Sequence, residues 1–269
     1  MDDRPIGIFD SGLGGLTVLR ALIDLVPGED LVYVGDTGRY PYGPRPQDEV
    51  AVFAGQIARW LVENEQVKMV VVACNTASAA ALDLLRFELS LPILGVIEPG
   101  LRAALRATRN QRVGVIGTVG TVGSGAYQRA AAAQRSGVEV SCLACPGLVE
   151  LVEEDDCDGP QAHRLAQALL LPLLETGVDT LLLGCTHYPF LARTIADVMG
   201  REVVLVSSAD ETAFEVRDIL DQTGLGRRSA GSGKGVHRFY SSGDPEAFVE
   251  LGRRLLGPEL QRVEALAWD

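Results

Sequence analysis

The chain has 269 residues, 47% hydrophobic and 22% charged, an ordinary balance for a folded globular protein. Its formal net charge of −12 argues against a nucleic-acid or anionic-membrane partner, because phosphate binding needs concentrated positive charge. No apolar run approaches the roughly 18 residues of a membrane span. The opening MDDRPIGIF lacks the basic stretch of a secretory signal, so the expected location is the cytoplasm, and the five cysteines are expected to be reduced thiols.

Strand-like apolar runs alternate with helical periodicity along the chain. In order they are PIGIF, LVYV, KMVVVA, PILGV, RVGVIG, VEVSCLA, DTLLLG and EVVLV. Between the second and third, Val50, Phe53, Ala54, Ile57, Leu61 and Val62 share one face of a helix predicted over Gln47 to Glu65. Such alternation predicts an α/β fold with parallel sheets. A weak repeat adds to it. IGIFDSGLGG resembles VGVIGTVGTVG at an offset of about 107 residues, and the runs ending in Cys74 and Cys185 are offset by about 111. The expected architecture is two similar parallel-sheet α/β domains related by a pseudo-twofold, with a site in the cleft between them. Residues 1–98 plus 208–269 form the first domain and 99–207 the second, the first boundary being set where Pro99 and Gly100 interrupt the pattern. Gly226 to Val236, rich in Gly, Ser and Arg, reads as a flexible loop.

DSGLGG (Asp10 to Gly15) follows the first strand. Gly12 and Gly14 fit a dinucleotide-binding turn, and Asp36 ends the next strand where a ribose-binding acid would sit, but Thr17 stands at the third glycine position. The alternative use of the turn has Asp10 and Ser11 receiving the charged ends of an amino acid, with backbone N–H groups as further donors. YPYGPRP (Tyr40 to Pro46) is a stiff turn in which Pro41 and Pro44 organise the backbone around Tyr42 and Gly43.

VVVACNTASAA and LLLGCTHYPFL are each a buried strand ending in a cysteine before an expected helix start, a setting that favours a thiolate. A single buried cysteine is usually inert packing. Here two occur in equivalent positions, followed by Asn75 and Thr76 or by Thr186 and His187, which are hydrogen-bonding side chains at the same strand ends. A Cys185–His187 dyad of protease type is disfavoured by the one-residue spacing and by the absence of a histidine beside Cys74. Cys142 and Cys145 form a C-x-x-C; with no second pair and only three histidines, core packing is expected and no metal site. GSGKG near Lys234 departs from a P-loop at Gly235.

The segments IGIFDSGLGGLTV, YVGDTGRYPYGPR, ACNTASA, GVIEPG, VGVIGT, CPGLVELVE, LGCTHYPFL and FYSSGDPEAF, spread from Ile6 to Phe248, resemble the glutamate racemases of the aspartate/glutamate racemase family. VSSADETA, from Val206, is a looser match. The resemblance implies cofactor-independent interconversion of L- and D-glutamate for bacterial peptidoglycan synthesis, and so a part in cell-wall biogenesis and cell shape. It implies Cys74 and Cys185 as the two acid/bases, assisted by Asp10 and His187, with Glu153 a further candidate. Asp10, Ser11, Pro41, Tyr42, Gly43, Asn75, Thr76, Thr118, Thr121, Thr186 and His187 would line the substrate. A homodimer is implied, with no nucleic-acid or membrane partner and no cofactor. Neither Lys68, before a buried strand, nor Lys234, in a loop, is placed to carry pyridoxal phosphate. A racemase for aspartate or another small acid and a non-catalytic amino-acid or nucleotide binder are the alternatives.

Overall fold

The computed structural model describes residues 1–134, 137–227 and 233–268. The centre of the expected glycine-rich loop, residues 228–232, lies outside them. Among the described residues there are ten strands: β1 (Ile6–Asp10), β2 (Leu31–Gly35), β3 (Met69–Val72), β4 (Ile93–Gly95), β5 (Arg112–Gly117), β6 (Glu139–Ala144), β7 (Thr180–Gly184), β8 (Val204–Ser207), β9 (His237–Ser241) and β10 (Glu264–Ala265). The described residues also form eleven α-helices: α1 (Leu16–Leu25), α2 (Gln47–Asn64), α3 (Asn75–Glu88), α4 (Ile97–Ala107), α5 (Val119–Gly123), α6 (Ala126–Gln134), α7 (Leu148–Glu153), α8 (Pro160–Thr176), α9 (Ala192–Met199), α10 (Ser208–Thr223) and α11 (Pro245–Leu256). Among the described residues no helix is long and apolar enough to cross a membrane.

The strands form two sheets with every pairing parallel. One has the order β10-β9-β2-β1-β3-β4 and the other β6-β5-β7-β8. The run β2-β1-β3-β4 repeats as β6-β5-β7-β8, so the duplication seen weakly in the sequence is a duplication of topology. Parallel sheets are covered on both faces, and their strands are accordingly apolar on both. Ile6 and Ile8 of β1 pack with α1, α10 and α11 on one face, while Phe9 packs with α2 and α3 on the other. Side chains alternate across a strand, and that alternation separates the two clusters. In the second sheet Val113 and Val115 join one cluster and Ile116 another.

All eight strands read from apolar runs are present. Two more, β9 and β10, are not visible as such runs. His237, Arg238 and Tyr240 give β9 a polar character, and β10 is two residues long at the sheet edge. Pro99 and Gly100 do not break an element; they lie in the first turn of α4, where proline is tolerated. Gly100 also allows the two stretches that link the sheets to lie side by side. A Cβ there would come within 2.7 Å of the Ser208 Cβ at the start of α10.

β1 is central and fully buried, so truncation there leaves a cavity that neighbouring strands fill poorly. We expect Ile8→Ala to lower unfolding free energy by about 2–5 kcal/mol, measured by urea denaturation; a loss below about 1 kcal/mol would contradict this account of the core.

Candidate active site

In parallel sheets the loops at the carboxyl ends of the strands lie along one edge. β1 delivers Asp10 and Ser11, β3 delivers Cys74, β5 delivers Thr118, and β7 delivers Cys185 and Thr186. A narrow cavity of about 120 Å³ lies among these ends. Ser11, Cys74, Asn75, Thr76, Thr118, Cys185, Thr186 and His187 line it, and the loop after β2 adds Pro41, Tyr42 and Gly43. Asp10, Thr121 and Glu153 do not line it. Asp10 lies fully buried behind Ser11 and Thr186; Thr121 lies behind Thr76, with their hydroxyls 3.1 Å apart.

The two cysteines have unlike surroundings. Cys74 caps α3, its Sγ accepting from the Ala77 N–H at 3.4 Å, and sits 3.7 Å from Ser11 Oγ. Burial pushes the Cys74 thiol up to about 12, and the nearby Asp10 carboxylate adds to the rise against the opposing Ala77 and Ser11 donors. The helix start therefore does not win over desolvation. Cys185 is not followed directly by an α-helix: a 3-10 turn at Tyr188–Leu191 precedes α9. Its partner is His187, whose Nδ1 is 3.9 Å from Cys185 Sγ and whose Nε2 is 3.5 Å from Glu153 Oε1. Burial alone would lower the His187 pKa, but Cys185 and Glu153 reverse this and raise it to about 10. The imidazolium thus supplies beside Cys185 the positive charge expected from a helix terminus.

Polar groups are held in fixed directions. Asp10 accepts from Ser11 Oγ at 3.2 Å, from the Gly12 N–H at 2.8 Å and from Thr186 Oγ1 at 3.0 Å, linking the carboxyl ends of β1 and β7. Asn75 Nδ2 donates to Tyr127 OH at 2.9 Å, and the Asn75 Oδ1, although buried, has no partner among the described residues. A buried unpaired acceptor is costly, so the amide oxygen is positioned to take a donor from a ligand. Thr76, Thr118 and Thr121 hydroxyls are mutually within 3.0–3.1 Å.

Several lining residues carried no distinguishing sequence signal. Tyr40 packs near His187 with ring centroids 6.4 Å apart, and burial and then Glu153 push its pKa up. Val149 and Glu150 enter from α7. Cys145 lines the cavity as well as packing in the core, and burial followed by Cys185 pushes its thiol up to about 12. Its C-x-x-C companion Cys142 packs in a different cluster, and all five cysteines are free thiols. Asp36 cannot serve as a ribose ligand. It is fully buried, and its oxygens accept from Arg39, Tyr42, Ser242 and Trp268.

Gly14 lies where the two halves meet. A Cβ there would lie 2.4 Å from Thr186 Oγ1 and 2.5 Å from His187 Nδ1, two side chains that Asp10 and Glu153 hold in place. We expect Gly14→Ala to displace His187 and to lower kcat/KM at least tenfold, about 1.4 kcal/mol in the barrier, with a smaller change in Tm. Unchanged kinetics would contradict this fit.

Residues 6–214 match the family model described as Asp/Glu/Hydantoin racemase. A glutamate racemase of Parafrankia sp. is 50% identical over 98% of this chain and 94% of its own. Among solved structures, glutamate racemase isoform RacE1 from Bacillus anthracis superposes with a TM-score of 0.93 at 39% identity, covering 100% of this chain and 98% of that one. The glutamate racemase of Francisella tularensis in complex with D-glutamate gives 0.91 at 32% identity, over 99% and 98% of the two chains. The chain therefore belongs to the Asp/Glu/Hydantoin racemase family and is an amino-acid racemase.

Proposed function

We propose that this racemase interconverts L- and D-glutamate without a cofactor, with Cys74 and Cys185 as acid/bases on opposite faces of the substrate α-carbon. The observation that carries the reading is that equivalent strand ends of two equivalent sheets each bring one thiol to a single cavity. The glutamate preference rests on the relatives, which are glutamate racemases with about half of their residues identical to this chain.

The chemistry follows from the α-proton. An amino-acid α-carbanion has no electron sink of its own, so the developing charge must be carried onto the carboxylate by positioned donors. The Thr76 hydroxyl is available for that carboxylate, those of Ser11 and Thr186 donating to Asp10, and the unpartnered Asn75 Oδ1 suits the ammonium group. Cys185 faces the His187 imidazolium, while burial and then Asp10 keep Cys74 a thiol. Cys185 thiolate removes the α-proton of the enantiomer that faces it, the bonding pair delocalises onto the carboxylate, and Cys74 returns its proton to the other face. Product leaves with the two sulfurs exchanged in protonation. Asp10 holds Ser11 and Thr186 in position and raises the Cys74 pKa, and Glu153 supports His187.

Residues 1–98 with 208–269, and 99–207, form the two domains in this reading, in keeping with the membership of the two sheets. D-Glutamate made this way would feed peptidoglycan synthesis, and with it cell-wall biogenesis and cell shape, in the cytoplasm. Phe87, 88% exposed, with Leu84 one turn before it on the same helix, offers an apolar face for a homodimer.

Proton NMR in D2O with no added cofactor tests the activity. Both glutamate enantiomers should lose their α-proton signal and L-aspartate should keep its own; exchange of aspartate alone would move the substrate, and exchange of none would overturn the reading. Cys74→Ser and Cys185→Ser should each cut racemisation by at least 10²–10⁴-fold, the usual worth of a positioned acid/base. Wild-type turnover by either variant would rule out its thiol. The unequal thiols give a pH test. Iodoacetamide at pH 8 should alkylate Cys185 before Cys74, followed by peptide mass spectrometry. Thiolate is the reactive form, so Cys74 labelling should climb with pH toward about 12. Faster labelling of Cys74 at pH 8 would contradict the assignment.

A further inference from the structure

The Tyr40–Pro44 wall of the cavity is held from below by Asp36, at the carboxyl end of β2. This carboxylate is fully buried, and its two oxygens face two different parts of the chain. Oδ2 accepts from the Arg39 Nε at 2.7 Å and from the Tyr42 hydroxyl. Oδ1 accepts from Ser242 Oγ at 2.6 Å and from the Trp268 indole N–H at 2.7 Å. The same indole ring lies 4.6 Å from the Arg39 guanidinium carbon, which packs 4.2 Å from the Phe53 ring on its other contact. Tyr42 completes the cluster, 5.6 Å from Phe53 between ring centroids.

A buried carboxylate is stable only with its lone pairs filled. Arg39 and Tyr42 fill those of one oxygen, and the segment following β10 fills part of the other. That segment has little else to fix it. β10 pairs over two residues, Leu266 N donates to Ser241 O at 2.8 Å, and Leu266 is buried. The indole N–H and the ring face thus act on the charge pair that orients Tyr42, although Trp268 does not line the cavity.

We infer that Trp268 is a positioning residue for the substrate wall, fixing Tyr42 through Asp36 and Arg39. This rests on the proposed use of the cavity for glutamate. Loss of the indole leaves Asp36 Oδ1 with Ser242 as its donor and uncovers one contact face of the Arg39 guanidinium, which Gln56 and Phe53 still hold, so the Asp36 carboxylate shifts and the Tyr40–Pro44 wall loosens. Ground-state binding then weakens, while the thiols, carried by β3 and β7, keep their positions.

The test compares Trp268→Phe and Trp268→Ala with wild type. Trp268→Phe keeps the ring over Arg39 and removes only the N–H. Trp268→Ala removes both. The expected result is a rise in KM for glutamate of about 3-fold for Phe and about 10-fold for Ala, with kcat within about 2-fold, as befits loss of binding common to ground and transition states. Alkylation of Cys74 and Cys185 by iodoacetamide should quicken in the same order, and this readout holds whatever the substrate is. Unchanged KM with unchanged alkylation in both variants would overturn the inference. Equal falls in kcat and Tm without a KM change would also overturn it, leaving Trp268 a stability element. Wild-type protein inert toward glutamate, with alkylation still faster in the variants, would remove the glutamate reading and leave the positioning role standing.

Discussion

Parallel strands end on the same side of their sheet, and the candidate site follows from that constraint. β1, β3, β5 and β7 occupy adjacent central positions in two sheets of like order. Their carboxyl ends carry Asp10, Cys74, Thr118 and Cys185, which the folding of one unit twice brings to a common edge. Burial of the strands on both faces fixes these ends with little freedom. The apolar clusters on either side of β1 and β5 therefore act on the chemistry as much as on stability.

A symmetric framework carries an asymmetric pair of thiols. Burial, and then the Asp10 carboxylate, keep Cys74 protonated; Cys185 sits 3.9 Å from a cationic imidazole. This difference sets a resting protonation state without requiring different folds for the two halves. A racemisation has an equilibrium constant of one, so kcat/KM must match in the two directions for the enzyme and every variant of it. The asymmetry is free to appear only in kcat and KM separately, and in one-way reactions such as elimination from a β-chlorinated analogue.

Much of this was legible in the sequence because it rests on local rules. Eight apolar strands, the 3.6-residue pattern of α2 and the paired cysteine segments all follow from periodicity and strand-end chemistry. β9 escaped because a half-polar strand such as HRFYS has no apolar run to reveal it. The setting of Cys185 escaped because proline at position 189 and a 3-10 turn replace the expected helix start. The true role of Asp36 escaped for a related reason, although Thr17 already counted against a nucleotide site. Its distance after a glycine-rich turn suited a ribose acid, while Trp268, which helps to satisfy it, lies 232 residues away in the sequence. Contacts of that range follow from tertiary packing and leave no short-range pattern. Cys145, Tyr40 and Val149 reach the cavity for the same reason.

A thiol on each face of the α-carbon fixes where solvent hydrogen enters. The decisive measurement is deuterium content at low conversion, with L-glutamate as substrate in D2O and both enantiomers recovered separately. A thiol on each face predicts deuterium at the α-carbon of the D-glutamate formed, while recovered L-glutamate keeps its proton. Equal early deuteration of recovered L-glutamate and product would mean that one group serves both faces, and would contradict the assignment of Cys74 and Cys185 as separate acid and base.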